Sequence, residues 1–192
     1  TILTEAAEYY HASLLSNQEA REFCKKTWGF SKEVIRKYSI GFATGEGLYK
    51  HLKSKGFQED QIISCGLFRF SGVNPEEFFV KRIIFPYFNG IFVTYFVARE
   101  TPFTPQNEYE SGRKYKKMLT YSDKRKHISP FAKNSTLYNC NDIKGAKEIV
   151  LTEGVSDCIS IANLGIKSIS PVTKKYSKQD FETIKKQIPL ST

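Results

Sequence analysis

The chain has 192 residues, 40% hydrophobic and 26% charged, with 29 Lys or Arg against 20 Asp or Glu and a formal net charge of +9. These proportions are those of a globular rather than a disordered chain and leave room for one large domain, or two small ones, with a real core. No run approaches the roughly 20 apolar residues of a membrane helix and the N-terminus shows no charged-then-apolar leader, so no membrane partner is expected and the chain is read as cytoplasmic.

The first third reads helical. Residues 3–15 place Ala6, Tyr9, Tyr10 and Leu14 at near-helical spacing, with Thr4 as a candidate N-cap. Ser16 followed by Glu19 reads as a capping box for a helix running to Trp28, with Gly29 as its stop. Ser31 can cap a short helix through Tyr38, and residues 48–55 and 59–65 read as two more, ended by Gly56 and Gly66. The pattern changes at Leu67. Residues 78–86 and 91–98 are rich in β-branched and aromatic side chains and flank Asn89-Gly90, which predicts a hairpin of two strands. Residues 101–112, with two prolines, read as a loop. After it, strand 148–151, helix 156–164, strand 166–169 and helix 177–187 alternate, which implies parallel strands with helical crossovers. A further strand is due after Pro189.

Cys24, Cys65, Cys140 and Cys158 are scattered with no C-x-x-C pair, so they are read as reduced, mostly buried thiols rather than as disulfides or zinc ligands. The positive charge is concentrated. Residues 113–133 hold Arg113, Lys114, Lys116, Lys117, Lys124, Arg125, Lys126 and Lys133 against Asp123 alone, interleaved with Tyr115, Tyr121 and Phe131. Cations can neutralise phosphates while rings offer stacking faces to bases; a solvated loop whose charges merely repel has the same composition. Residues 149–157, Ile-Val-Leu-Thr-Glu-Gly-Val-Ser-Asp, carry a different chemistry. Glu153 falls at the C-terminal tip of an apolar strand, where open α/β sheets keep their ligand crevice, and Asp157 falls in the first turn of the next helix. Two carboxylates on one rim can hold Mg²⁺, and Glu153 alone can act as a general acid or base. The structural alternative is a helix-capping Asp157 beside a solvated Glu153.

Strand-Glu-Gly-x-x-Asp-helix resembles the opening motif of the TOPRIM module, shared by bacterial-type primases, topoisomerases and some nucleases. Upstream, Lys81-Arg82-Ile83-Ile84-Phe85-Pro86, then Asn89-Gly90, then Tyr95-Phe96-Val97-Ala98-Arg99 resembles the R-I-x-F-P, Gly turn and F-x-x-R series of bacterial-type DNA primases. Lys114-Tyr115 is similar to the start of that family's K-Y-L-N-S motif, and Phe131-Ala132-Lys133 followed by Leu137-Tyr138-Asn139 to its F-x-K and L-Y-N elements. Ser39-Ile40-Gly41-Phe42-Ala43, beside the leading helices, is similar to its F-x-I-G-Y-A segment, so the resemblance covers nearly the whole chain.

The resemblance implies an α+β and α/β fold: a helical and mixed-sheet basic N-terminal subdomain over residues 1–143, then a partial TOPRIM-like subdomain over residues 144–192, with a template groove between them. It implies that Arg82 and Arg99 lie on the sheet facing that groove, that Lys114, Tyr115 and Lys133 meet nucleotide, primer or template, and that Glu153 is the catalytic acid at a metal site supported by Asp157. The implied activity is DNA-dependent synthesis of short RNA primers on single-stranded DNA, from nucleoside triphosphates, with Mg²⁺ or Mn²⁺. Zinc would belong to a preceding N-terminal segment, and a replicative helicase would be contacted through regions outside this chain. Two departures stand out. The Lys-Tyr motif continues Lys116-Lys117-Met118 instead of Leu-Asn-Ser, and the module's later Asp-x-Asp motif is missing after Asp157, so a truncated core is expected. A catalytically inactive fragment or homologue that grips single-stranded nucleic acid is the alternative. The upstream motifs argue against a TOPRIM nuclease or topoisomerase.

Overall fold

The computed structural model describes residues 1–70, 74–107, 110, 112–133, 137–173 and 175–188. Helix α1 (Ile2–Ser16) buries Ala6, Ala7, Tyr10 and Leu14 along one stripe. Its N-cap is Thr1, whose hydroxyl accepts from the Thr4 amide at 3.2 Å, so Thr4 lies inside the helix rather than at its start. The Ser16–Glu19 capping box does not form. Ser16 is still the last residue of α1, and its hydroxyl donates back to the Ser13 carbonyl. Asn17 instead closes α1 and opens α2 (Gln18–Trp28), its side chain accepting from the Ala20 amide at 2.9 Å. Gly29, at φ 72°, ends α2, and the Ser31 hydroxyl caps α3 (Lys32–Lys37) as expected.

Strand β1 (Gly41–Ala43) interrupts the helical third, followed by α4 (Leu48–Ser54) and α5 (Glu59–Ser64). Gly41 is required by close approach: a Cβ there would stand 2.6 Å from the Tyr10 Cβ and 2.8 Å from its backbone carbon, pushing α1 off the sheet. A short antiparallel pair, β2 (Phe68–Phe70) and β3 (Pro75–Glu77), precedes the predicted hairpin of β4 (Arg82–Asn89) and β5 (Phe92–Glu100). Strand β6 (Tyr115–Lys117) completes a sheet of order β1-β4-β5-β6, antiparallel at every pairing.

Register decides what this sheet shows to each side. Ile83 pairs with Arg99, which pairs with Tyr115; Phe85 pairs with Val97, which pairs with Lys117. Directly paired residues share a face, and neighbours along a strand point opposite ways. One face thus carries Arg99, Tyr115, Val97, Lys117 and Tyr87. The other carries Arg82, Ile84, Ala98, Phe96 and Lys116, and on that side Tyr10 of α1 packs edge-on against Phe96 at 5.8 Å.

The last third follows the expected alternation. A single 3₁₀ turn (Cys140–Ile143) leads to β7 (Val150–Leu151), α6 (Val155–Asn163), β8 (Ser168–Ile169) and α7 (Lys178–Gln187). Strands β7 and β8 are parallel, with Val150 beside Ser168 and Leu151 beside Ile169. Val155, Cys158, Ile159 and Ala162 of α6 join the main core, while Leu137, Ile143, Ile169 and Ile184 form a small core under α7. The strand expected after residue 189 lies outside the described residues. The four cysteines are free thiols, with Cys140 half-buried and the other three buried. Among the described residues no helix is long and apolar enough to cross a membrane.

One buried carboxylate makes stability depend on pH. Glu77, only 6% exposed, accepts from the Leu48 amide at the start of α4 through Oε1 at 2.6 Å, while Oε2 has no hydrogen-bond partner among the described residues. Burial outweighs that bond and pushes its carboxyl up to about 7. The folded state therefore holds the proton more tightly than the unfolded state. The contribution is fully present below the ordinary carboxylate value of 4.5 and is lost as pH rises through about 7. We expect denaturant unfolding to show a loss of up to about 3 kcal/mol between pH 5 and pH 8, and Glu77→Gln to flatten that slope. An unchanged slope in the variant refutes the assignment to Glu77.

Candidate functional site

The cleft lies on the Arg99 face of the sheet. The end of β7 and the start of α6 stand across from β5 and β6 and leave a space of about 530 Å³ lined by Arg99, Lys114, Tyr115, Lys117, Glu153 and Asp157, with Trp28, Tyr87, Ser156, Val172 and Thr173 completing the wall. Antiparallel pairing of β6 with β5 puts Tyr115 and Lys117 on the face of Arg99 and turns Lys116 away. The Arg99 guanidinium sits 5.5 Å from the centre of the Tyr115 ring and donates to the Glu100 carbonyl at 3.0 Å and to its carboxylate at 3.2 Å. The Tyr115 hydroxyl reaches within 3.4 Å of the Ser156 hydroxyl, so this ring bridges the sheet and the first turn of α6. Desolvation pulls the Lys117 ammonium below its ordinary range.

The acidic rim follows from local sequence. Strand β7 ends at Leu151, Glu153 follows in the turn, and Gly154 is the N-cap of α6 with no side-chain cap bond. A Cβ on Gly154 would lie 3.2 Å from Asp157 Oδ2, so the glycine leaves room for that carboxylate to fold back beside the turn. Glu153 and Asp157 are both exposed, and neither has an ion-pair partner among the described residues. Two unpaired carboxylates on one rim suit a divalent cation that completes its shell with water and phosphate oxygen. The amide groups at the α6 N-terminus and the three cations opposite favour an anion in the same space. Among the described residues no third His, Cys, Asp or Glu joins the pair.

Arg82 requires a correction. It is fully buried and does not line the cleft, because it shares its sheet face with Lys116 and not with Arg99. Its Nε donates to the Glu110 carboxylate at 2.7 Å and its Nη1 to the Arg113 carbonyl at 2.8 Å. Lys116, 3% exposed, donates to the other Glu110 oxygen and to the Phe78 carbonyl at 2.6 Å. This triad ties β4, the 101–114 loop and β6 together beneath the cleft. Burial lowers the Lys116 ammonium pKa, and the Glu110 carboxylate opposes that effect.

Of the residues singled out from the sequence, Arg99, Lys114, Tyr115, Glu153 and Asp157 thus meet in one cleft, Arg82 lies inside, and Lys133 is exposed on a separate loop that does not line it. Sequence reasoning missed Trp28 and Glu110, and it placed Lys117 in the basic run without singling it out. Lys117 was recoverable from its i, i+2 relation to Tyr115 once residues 115–117 are taken as a strand. Nothing local marks Trp28, which stacks on Phe30 at 5.3 Å and meets Phe85 edge-on at 5.6 Å.

A family model described as the DNA primase catalytic core, N-terminal domain, matches residues 9–144. The chain belongs to this primase family. The DNA primase of Lactococcus lactis is 28% identical over an alignment 209 positions long, covering 96% of this chain and 29% of its own length. That of Clostridium acetobutylicum is 28% identical over 170 residues, with 86% and 26% covered. The chain therefore spans little more than a quarter of the length of these curated primases. The RNA polymerase domain of Mycobacterium tuberculosis primase DnaG, solved with double-stranded DNA, superposes with a TM-score of 0.79 at 22% identity, covering 97% of this chain and 59% of that one. The Aquifex aeolicus primase, solved with its zinc-binding and RNA polymerase domains, gives 0.79 at 21% identity, with 97% and 45% covered. A DnaG primase catalytic domain bound to single-stranded DNA gives 0.74 at 20% identity, with 97% and 57% covered. At these identities the likenesses establish the primase-core fold.

Proposed function

We propose that the chain is part of the RNA-polymerising core of a DNA primase, which makes short RNA primers on single-stranded DNA from nucleoside triphosphates. The carrying observation is the cleft itself: Arg99, Lys114 and Lys117 on a sheet face, opposed by Glu153 and Asp157 on a strand-to-helix turn. In this reading residues 1–143 form the basic subdomain and residues 144–192 the first part of the TOPRIM subdomain, in the cytoplasm. A replicative helicase is met through segments outside these residues.

The residues divide the work by charge. Arg99, Lys114 and Lys117 bind the triphosphate or the template backbone and bring the α-phosphorus into line with a primer 3′-hydroxyl. Tyr115, pinned between Arg99 and Ser156, fixes the height of that phosphate over the sheet. Glu153 and Asp157 hold Mg²⁺ or Mn²⁺, which when bound neutralises charge developing on the phosphate oxygens. The α6 N-terminal amides add a fixed positive dipole at the same place.

A second reading, strand binding without synthesis, is favoured by the presence of only two carboxylates on the rim among the described residues. The two separate in one assay on the full-length protein, supplied with a single-stranded template, labelled nucleoside triphosphates and either Mg²⁺ or Mn²⁺. The primase reading expects template-dependent RNA that disappears on chelation of the metal. Salt-sensitive template binding with no RNA under either metal establishes the second reading instead.

A further inference from the structure

The basic loop that follows β6 is not absorbed by the cleft. It is held in place along its length. Leu119 donates to the Gly66 carbonyl at 3.2 Å, Tyr121 to the Ala132 carbonyl at 3.2 Å, and Ser129 to the Ser64 carbonyl at 2.9 Å. Arg125 Nε donates to the Thr120 carbonyl at 2.8 Å, and Ile128 is completely buried beneath the loop. From this anchored frame Phe131 projects with 94% of its surface exposed, and Tyr121 with 43%. Ala132, next to Phe131, is buried, so the ring stands on fixed backbone. A rigidly held, solvated phenylalanine has no account in packing. Lys124, Lys126 and Lys133 are exposed on the same loop, and none has an ion-pair partner among the described residues.

We infer that residues 119–133 form a base-stacking platform for an unpaired DNA strand, with Phe131 and Tyr121 as the stacking rings and Lys124, Lys126 and Lys133 as phosphate contacts. The inference rests on the strand-binding reading above and deepens it by assigning a second contact region. Charge complementarity selects the occupant: residues 113–133 hold eight cations and one acid, a poor match for an apolar protein segment and a good one for a polyanion with flat bases. The platform follows directly in sequence on Lys117, which lines the cleft. Tyr121 lies four positions after Lys117, which limits their separation to ~14 Å at full extension, within reach of a strand of a few nucleotides bound at the cleft rim.

The test uses the full-length protein and a fluorescent 15-residue oligothymidylate, titrated at several salt concentrations. Phe131→Leu is expected to weaken binding roughly 5- to 100-fold at every salt concentration while leaving the slope against log salt unchanged, because stacking releases no counterions. Phe131→Tyr is expected to retain binding. Lys124→Gln with Lys126→Gln is expected to reduce the slope by about 0.7 for each contact removed. The unfolding midpoint of Phe131→Leu should match the parent, since the ring is almost wholly exposed. The inference is overturned if Phe131→Leu binds like the parent, if its loss comes with a changed slope, or if its unfolding midpoint drops. If the parent itself fails to bind the oligonucleotide, the strand-binding reading falls and takes the platform with it.

Discussion

Removing the Glu110 carboxylate, by Glu110→Ala or Glu110→Gln, is expected to destabilise the protein by about 3–5 kcal/mol. Glu110 is 2% exposed and its two oxygens face Arg82 and Lys116, at 0% and 3% exposure, so its loss leaves two cations inside the protein with their counter-charge gone. The sign of the pH dependence gives a second check. Burial already holds the Lys116 ammonium below its ordinary range, with Glu110 resisting, so removing Glu110 drives it further down. In the variant the unfolded state binds that proton more tightly than the folded state, and stability must rise as pH rises towards the ordinary lysine value. Denaturant unfolding at pH 6 and pH 9 measures both effects. Exchanging all three residues for apolar ones of similar size should cost far less than Glu110→Ala, since no charge is then stranded. If Glu110→Ala unfolds like the parent, the triad contributes nothing to stability. The functional consequence follows from position: the triad anchors β6 from below, and Lys114, Tyr115 and Lys117 stand on that strand or beside it.

If the protein synthesises primers as proposed, Glu153→Gln is expected to lower that synthesis by the full-length protein at least about 100-fold while leaving its unfolding curve unchanged. The carboxylate is exposed and carries no ion pair among the described residues, so the amide disturbs no packing, and surface changes of this kind stay within about 0.5 kcal/mol. On the proposed reading, what is lost is a negative ligand for the cation, a term of several kcal/mol in phosphoryl transfer. Template binding should persist, or tighten slightly, because one repulsive charge leaves the cleft. Synthesis at the parent rate would remove Glu153 from the chemistry. Loss of template binding in step with synthesis would instead assign it to holding the strand.

Much of this architecture was legible in local pattern. Gly29, Ser31 and Ser177 mark real helix ends, Asn89-Gly90 marks a real hairpin, and the alternation from residue 148 onward gives a parallel pair with helices, because caps, turns and periodicity depend on a few neighbouring residues. Short strands escaped. Residues 41–43, 68–70, 75–77 and 115–117 are too brief to show a period and exist only because a partner strand supplies their hydrogen bonds. The same holds for Asn17, chosen over Ser16 as a cap by where α1 happens to end.

The candidate site divides along the same line. The sequence by itself determined that Glu153 and Asp157 share a rim, since a strand end, a glycine and a helix start fix that geometry within five residues. It also determined that positive charge and aromatic rings cluster between residues 113 and 133. Only the tertiary structure decided which cations reach the acidic rim. Arg82 and Arg99 sit in similar-looking motif positions, but Arg99 pairs with Ile83, and that one-residue offset sends one guanidinium into the cleft and the other into the interior. Side chains alternate with a period of two, so strand register, a long-range property, sorts every residue to one face or the other.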